Sequence, residues 1–115
     1  MEYVFSVENP MGAVRTTQRQ KLVDPRAKRY EAYKRRVRLV ANLAGVPDEI
    51  GKDERAVVEI EVCWEKLPKC DLDNAVKGLL DALWKQDRRV KEIHAIALED
   101  CETDIADVTV TINGR

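Results

Sequence analysis

At the start of the chain Tyr3, Phe5 and Val7 alternate with Glu2, Val4 and Ser6. A period of two sets side chains on opposite faces of an extended segment, so this stretch reads as a strand that Asn9-Pro10-Met11-Gly12 ends. Asp24-Pro25 then reads as an N-cap and a first helical position. Tyr30, Tyr33, Val37, Val40, Ala41 and Ala44 follow at three-to-four spacing, which predicts a helix with one buried face until Gly45 and Pro47 stop it. Beyond a polar loop from Pro47 to Arg55, Val58, Ile60, Val62 and Trp64 alternate with Glu59, Glu61, Cys63 and Glu65. That pattern predicts a half-buried strand. A second helix, from near Asn74 to Trp84, presents Val76, Leu79, Leu80 and Leu83 on one side. Arg89 to Leu98 has apolar residues in mixed phase, predicting a strand with a bulge or with burial on both faces. Ile105 to Ile112 returns to alternation, Val108, Val110 and Ile112 against Asp107, Thr109 and Thr111. The order β-α-β-α-β-β predicts an α+β fold in which two helices pack on a mixed sheet.

At 115 residues and 44% apolar content the chain suits a single domain with a modest core, which dimerisation would reinforce. No apolar run approaches the ~20 residues that span a bilayer, and Met1-Glu2 opens without a signal-peptide pattern, so the expected location is the cytoplasm, with no membrane partner. Cys63, Cys70 and Cys101 are odd in number and lack C-x-x-C spacing. Reduced thiols are expected rather than a zinc site or a disulfide framework. Trp64 and Trp84 are expected to anchor packing, His94 to be a satisfied, partly buried histidine, and Asp104 and Asp107 to face solvent.

The net charge of −1 hides a segregation. From Arg15 to Arg38 there are ten basic residues against Asp24 and Glu31, whereas beyond Gly45 acids outnumber bases seventeen to ten. A basic arm and helix joined to an acidic remainder suit a polyanion such as nucleic acid, because Lys and Arg neutralise phosphates and release their counterions. Arg15, Arg19, Lys21, Arg26, Lys28 and Arg29 are the candidate phosphate contacts of that segment. Its first part, about residues 10–23, lacks an apolar period and reads as a mobile basic arm.

The chemistry converges on Lys69-Cys70-Asp71-Leu72-Asp73-Asn74-Ala75-Val76-Lys77. If Cys70 to Leu72 is extended, Asp71 and Asp73 project from one face immediately before the helix. Lys77 follows Asp73 by one helical turn. Asp87 lies just after the helix, where a chain that folds back would bring it to the other two. Mg²⁺ takes hard oxygen ligands, keeps several waters and bridges readily to phosphate, so such a cluster suits phosphodiester chemistry, with the lysine stabilising charge on phosphoryl oxygens. Lys69 and Asn74, beside the acids, are further candidate DNA contacts. A simpler reading takes one acid as a helix cap, Asp73 with Lys77 as an i,i+4 pair and Asp87 as a loop acid.

Asp71-Leu72-Asp73-Asn74 with Lys77, then Leu79-Leu80-Asp81-Ala82-Leu83, then Asp87 ahead of Val90, resembles the RusA family of Holliday junction resolvases. Val23-Asp24-Pro25-Arg26-Ala27-Lys28-Arg29-Tyr30, continuing through Tyr33-Lys34, is similar to the segment that phage-type members carry between their first strand and first helix. The likeness runs from roughly Val14 to Val110 and implies a single RusA-like endonuclease domain over residues 1–115. It further implies Asp71, Asp73 and Asp87 as Mg²⁺ ligands, Lys77 as the catalytic cation, and a bacterial or phage-encoded homodimer that nicks four-way DNA junctions symmetrically. Gln86 stands where many members carry a second acid ahead of Asp87. Two alternatives compete with this reading. One is a DNA-binding module that keeps the fold without catalysis; the other is a phosphatase of the haloacid-dehalogenase type, against which the short chain and the lack of a strongly apolar strand before Asp71 both argue.

Overall fold

The computed structural model describes residues 1–15 and 23–114. Its elements are β1 (Glu2–Glu8), α1 (Pro25–Leu43), β2 (Glu54–Cys63), α2 (Leu72–Leu83), β3 (Val90–Leu98) and β4 (Ile105–Gly114). The strands form one mixed sheet in the order β1-β4-β2-β3, with β1 and β2 antiparallel to β4 and with β2 parallel to β3. The predicted order and α+β class are therefore those of the fold. Among the described residues no helix is long and apolar enough to cross a membrane.

Alternation carries out its expected work in three strands. Phe5 and Val7 of β1, Val58, Ile60 and Val62 of β2, and Ala106, Val108, Val110 and Ile112 of β4 are buried beneath the helices. Their partners in sequence face away from them. Fully burying a Leu, Val or Phe side chain contributes about 1.5–3 kcal/mol, so this one face accounts for much of the core. From α1 come Tyr30, Tyr33, Val37 and Ala41, from α2 Ala75, Leu79, Leu80 and Leu83. Both tryptophans are 2% exposed, and Trp84 also donates its indole N–H to the Pro47 carbonyl (3.1 Å), so both anchor packing as expected.

Local signals explain where α1 begins. Asp24 has extended backbone angles and accepts the Arg26 amide at 2.8 Å, with Pro25 next. The capping bond and the Arg26 guanidinium hold the Asp24 carboxyl below its ordinary value. At the other end Gly45 takes φ +96°, the left-handed conformation that stops a helix at low cost.

Two expectations are corrected. The segment following β1 is not free throughout: Pro10 is buried, and Met11, Ala13 and Val14 lie against the core. These apolar residues have no period because they fill the space beside α2 one at a time. Arg19 and Lys21 lie outside the described residues. The second correction concerns His94 on β3, a strand whose expected bulge is present: Ala56 is opposite Val90 while Val57 is opposite Glu92, leaving Lys91 as the extra residue. Burial on both faces does not follow. β3 is an edge strand, with Ile93, Ile96 and Leu98 between 43% and 53% exposed, and His94 is exposed beside Glu92 (3.1 Å) rather than partly buried.

Candidate active site

Strand β2, helix α2 and strand β3 form a β-α-β unit, and this fixes where each acid can be. The chain leaves the C-terminal end of β2, loops through residues 64–70, and returns along α2 to start β3 beside the beginning of β2. Asp71 and Asp73 thus occupy the end of the sheet where β2 and β3 finish. Crevices at strand C-termini are where parallel units place ligands.

The loop that delivers the two aspartates is held by an acid that alternation had assigned to solvent. Asp104, just ahead of β4, is 6% exposed. Its Oδ1 accepts the Glu65 amide at 2.8 Å and its Oδ2 pairs with Lys69 Nζ at 2.5 Å. The lysine contact, followed by the Glu65 amide, holds the Asp104 carboxyl below its ordinary value, and Asp104 raises Lys69 in return. Lys69 is therefore engaged in holding the loop, with its side chain 70% exposed. Trp64 and Cys101 complete the anchorage, the Trp64 amide donating to Leu98 (2.9 Å) and the Cys101 amide to the Trp64 carbonyl (3.0 Å).

Helix α2 begins at Leu72, two residues before the expected start. Asp71 is consequently the N-cap residue, with φ −64° and ψ 148°, and Asp73 sits in the first turn. The cap reading holds for Asp73, whose carboxylate accepts a first-turn amide, and not for Asp71. The Asp71 side chain makes no capping hydrogen bond, and both aspartates are exposed. Asp73 Oδ1 accepts the Asn74 amide at 3.0 Å. The two carboxylates share one neighbourhood: burial first, then the charges of Asp71 and Asp73, raises the Cys70 thiol above its ordinary value.

A strap from the β1–α1 connection braces this turn. The Ala13 amide donates to the Asn74 carbonyl (3.3 Å), and the Asn74 side chain lies against Gly12. A Cβ on Gly78 would stand 2.5 Å from the Met11 carbonyl oxygen, so glycine is what lets the strap approach the helix. Beneath it Tyr33 is buried, with its hydroxyl unpartnered among the described residues and its phenol pushed up to about 12 by burial. Arg15, at the end of the described strap, is exposed.

Lys77 does not pair with Asp73. Its Nζ lies 3.7 Å from Asp81 Oδ1, and Asp81 Oδ2 accepts the Tyr30 hydroxyl at 3.0 Å from α1. Burial, then the Asp81 charge, raises the Tyr30 phenol, so it remains a donor. Asp81 and Tyr30 are functional candidates that the sequence reading passed over. The signal was present in the four-residue spacing from Lys77 to Asp81, but Asp73 offers the same spacing on the other side.

Asp87 is not brought to the other two aspartates within one chain. It lies beyond the far end of α2, whose 12 residues span about 18 Å. The chain does not fold back over the helix; it continues into β3, and the Asp87 carbonyl accepts the Val90 amide at 2.8 Å. Among the described residues no three Asp, Glu, His or Cys side chains come together as a cation cage. Beside Asp87 opens a cleft of about 460 Å³ lined by Arg38, Asp48, Trp84, Lys85, Arg88 and Arg89 among others.

The basic residues of α1 divide into three groups. Arg36 donates to the Glu8 carbonyl (2.9 Å) and Arg38 to the Ala82 carbonyl (3.2 Å), tying the helix to β1 and α2. Arg26 pairs with Asp24 (3.3 Å) and Lys34 with Glu31 (3.1 Å). Lys28, Arg29 and Arg35 are exposed. Against known families, the model described as Endodeoxyribonuclease RusA matches residues 8–113. No curated protein matches the chain.

Proposed function

Because the chain belongs to the RusA endodeoxyribonuclease family, we propose that it is a Mg²⁺-dependent homodimeric endonuclease that resolves four-way (Holliday) DNA junctions by paired nicks. The observation that carries this reading is the Asp71 carboxylate, exposed at the start of α2 without a capping bond and beside the exposed Asp73. An exposed carboxylate at a helix N-terminus without a capping bond has its oxygens free to take a cation.

Carboxylate oxygens are the donors Mg²⁺ prefers, so the residues present suit the ion in kind. Within one chain they do not suffice, since ligands of one Mg²⁺ lie within about 4 Å of each other and Asp87 is a helix length away. A second copy supplies what is missing. The edge strand β3 offers unpaired backbone groups together with exposed Ile93, Ile96 and Leu98, an edge that proteins ordinarily cover. A copy related by a twofold axis at this edge runs its own β3 antiparallel. The start of that strand, and with it Asp87 of the partner subunit, then approaches the end of the sheet that holds Asp71 and Asp73.

Asp71, Asp73 and Asp87 of the partner subunit would hold the ion, which polarises the phosphate and lowers the cost of water attack when bound. Lys77, one turn along α2, meets the negative charge that builds on the phosphoryl oxygens. Arg15, Arg26, Lys28, Arg29 and the adjacent Asn74 hold backbone phosphates, and Arg19 and Lys21 extend that set along the arm. Lys85 and Arg88 flank Asp87 and add cations at the same place. Phosphate contacts position the duplex arms without reading their sequence. Two equivalent sites on a C₂ dimer match two equivalent strands of a junction, and paired nicks follow from that symmetry.

The test compares a labelled four-way junction with a linear duplex of the same arms, in Mg²⁺ and in chelator. Paired nicks in the junction alone, lost on chelation, are expected. Asp73→Asn should retain junction binding and lose nicking by about 100-fold or more. Equal cutting of junction and duplex, or nicking that survives both chelation and Asp73→Asn, contradicts the reading.

A further inference from the structure

Lys77 has a choice of two carboxylates on its own helix, and it takes the one that helix energetics favours less. An acid four residues ahead of a lysine, as Asp73 is, makes the better i,i+4 pair; the reverse order, Lys77 to Asp81, is the weaker. Yet Lys77 Nζ stands 3.7 Å from Asp81 Oδ1. Something other than helix stability selects Asp81. That something is visible in the second oxygen, Oδ2, which accepts the Tyr30 hydroxyl at 3.0 Å. Tyr30 is 4% exposed and fixed in the core, and Lys34 Nζ lies 4.7 Å from its ring centroid. Asp81 is thus fixed from α1 before it meets Lys77.

We propose that Asp81 is a positioning residue that holds the Lys77 ammonium away from Asp73, with Tyr30 as its anchor, so that the Asp73 carboxylate remains available to a cation and the ammonium to a scissile phosphate. Without Asp81 the nearest acid one turn away is Asp73. An ammonium resting there neutralises a carboxylate that the cation needs. With Asp81 the two opposite charges stay on adjacent turns of α2, where one could meet a cation and the other phosphoryl oxygens. The anchor also links the site to α1, whose exposed Lys28 and Arg29 lie next to Tyr30 in the chain. The proposal rests on the reading of Lys77 as the catalytic cation.

The experiment measures steady-state nicking of a labelled four-way junction in Mg²⁺ by the full chain and by Lys77→Met, Asp81→Asn, Asp81→Glu and Tyr30→Phe, with junction binding in chelator as the check on folding. Lys77→Met should lose nicking. Asp81→Asn should lower kcat about 10- to 100-fold with KM unchanged, because a displaced group costs turnover rather than affinity. It should also raise the Mg²⁺ concentration giving half-maximal nicking, as Lys77 falls onto Asp73. Asp81→Glu should restore part of kcat, and Tyr30→Phe should give a smaller loss in kcat of the same kind. If Asp81→Asn no longer binds junction, Tyr30→Phe decides. Wild-type kcat in Asp81→Asn, or in Tyr30→Phe where that variant decides, together with a dead Lys77→Met, overturns the positioning role. Full nicking by Lys77→Met instead removes the catalytic role of Lys77 on which it stands.

Discussion

The two ends of α2 carry the three aspartates and are built in opposite ways. At the N-terminal end everything around Asp71 and Asp73 is braced: Asp104 ties down the incoming loop through Glu65 and Lys69, and the Met11–Ala13 strap lies against Gly78 and Asn74. At the C-terminal end Lys85, Gln86, Asp87 and Arg88 are all exposed, and Asp87 is tied by a single backbone bond to Val90. A braced pair and a loosely tied third acid are what a site completed on association needs. In the proposed dimer the pair would keep its geometry alone, while the third would adjust to the surface of another copy.

The largest effect that tests this contrast comes from mixing two inactive proteins. Asp71→Asn and Asp87→Asn should each lose nicking by about 100-fold or more. In a mixed dimer one site then carries both changes and the other carries neither, so co-refolded variants should recover a substantial part of single-strand nicking. Sites complete within one chain give no recovery, and that result would break the comparison.

A smaller effect tests the bracing at the N-terminal end. Gly78→Ala gains about 1 kcal/mol of helix propensity, but it drives a Cβ to 2.5 Å from the Met11 carbonyl oxygen, and overpacking of this kind costs about 1–3 kcal/mol. A lower urea midpoint is expected, with Asp87 unaffected because it lies at the other end. An unchanged or higher midpoint would show that the strap yields freely.

The smallest effect is in the pH dependence of stability. Asp104 is held below its ordinary 3.8, so its contribution is present above that value and fades as pH falls through the lowered folded value. Lys69 is raised above 10.5, so its share is present below that value and fades as pH rises past it. The stability difference between wild type and Asp104→Asn should therefore be steady between these limits and shrink in stronger acid and stronger base. A difference independent of pH down to strong acid would mean that the clamp is not ionic.

Much of this was readable in the chain because it depends on neighbours in sequence. Alternation marks three strands, Asp24-Pro25 marks the start of α1, and Asp71-x-Asp73 with Lys77 marks the candidate site. The misreadings share one cause. Asp104 has the sequence context of a surface acid, and only the loop folded over it makes it a buried clamp. Lys77 has acids at equal spacing on both sides, and only Tyr30, 51 positions from Asp81, decides between them. Asp87 is close to the other aspartates in sequence, yet 12 helical residues hold it away.

The elements, their order, the basic and acidic division of the chain and the identity of the acids are all legible in the residues alone. Those follow from the period of a strand, the period of a helix and the charge of each side chain, all of which are local. Which carboxylate meets which cation was decided only by the tertiary structure. An ion pair or a metal site depends on distances of a few ångströms between groups that the chain connects over many residues, and a rigid helix can separate as well as join.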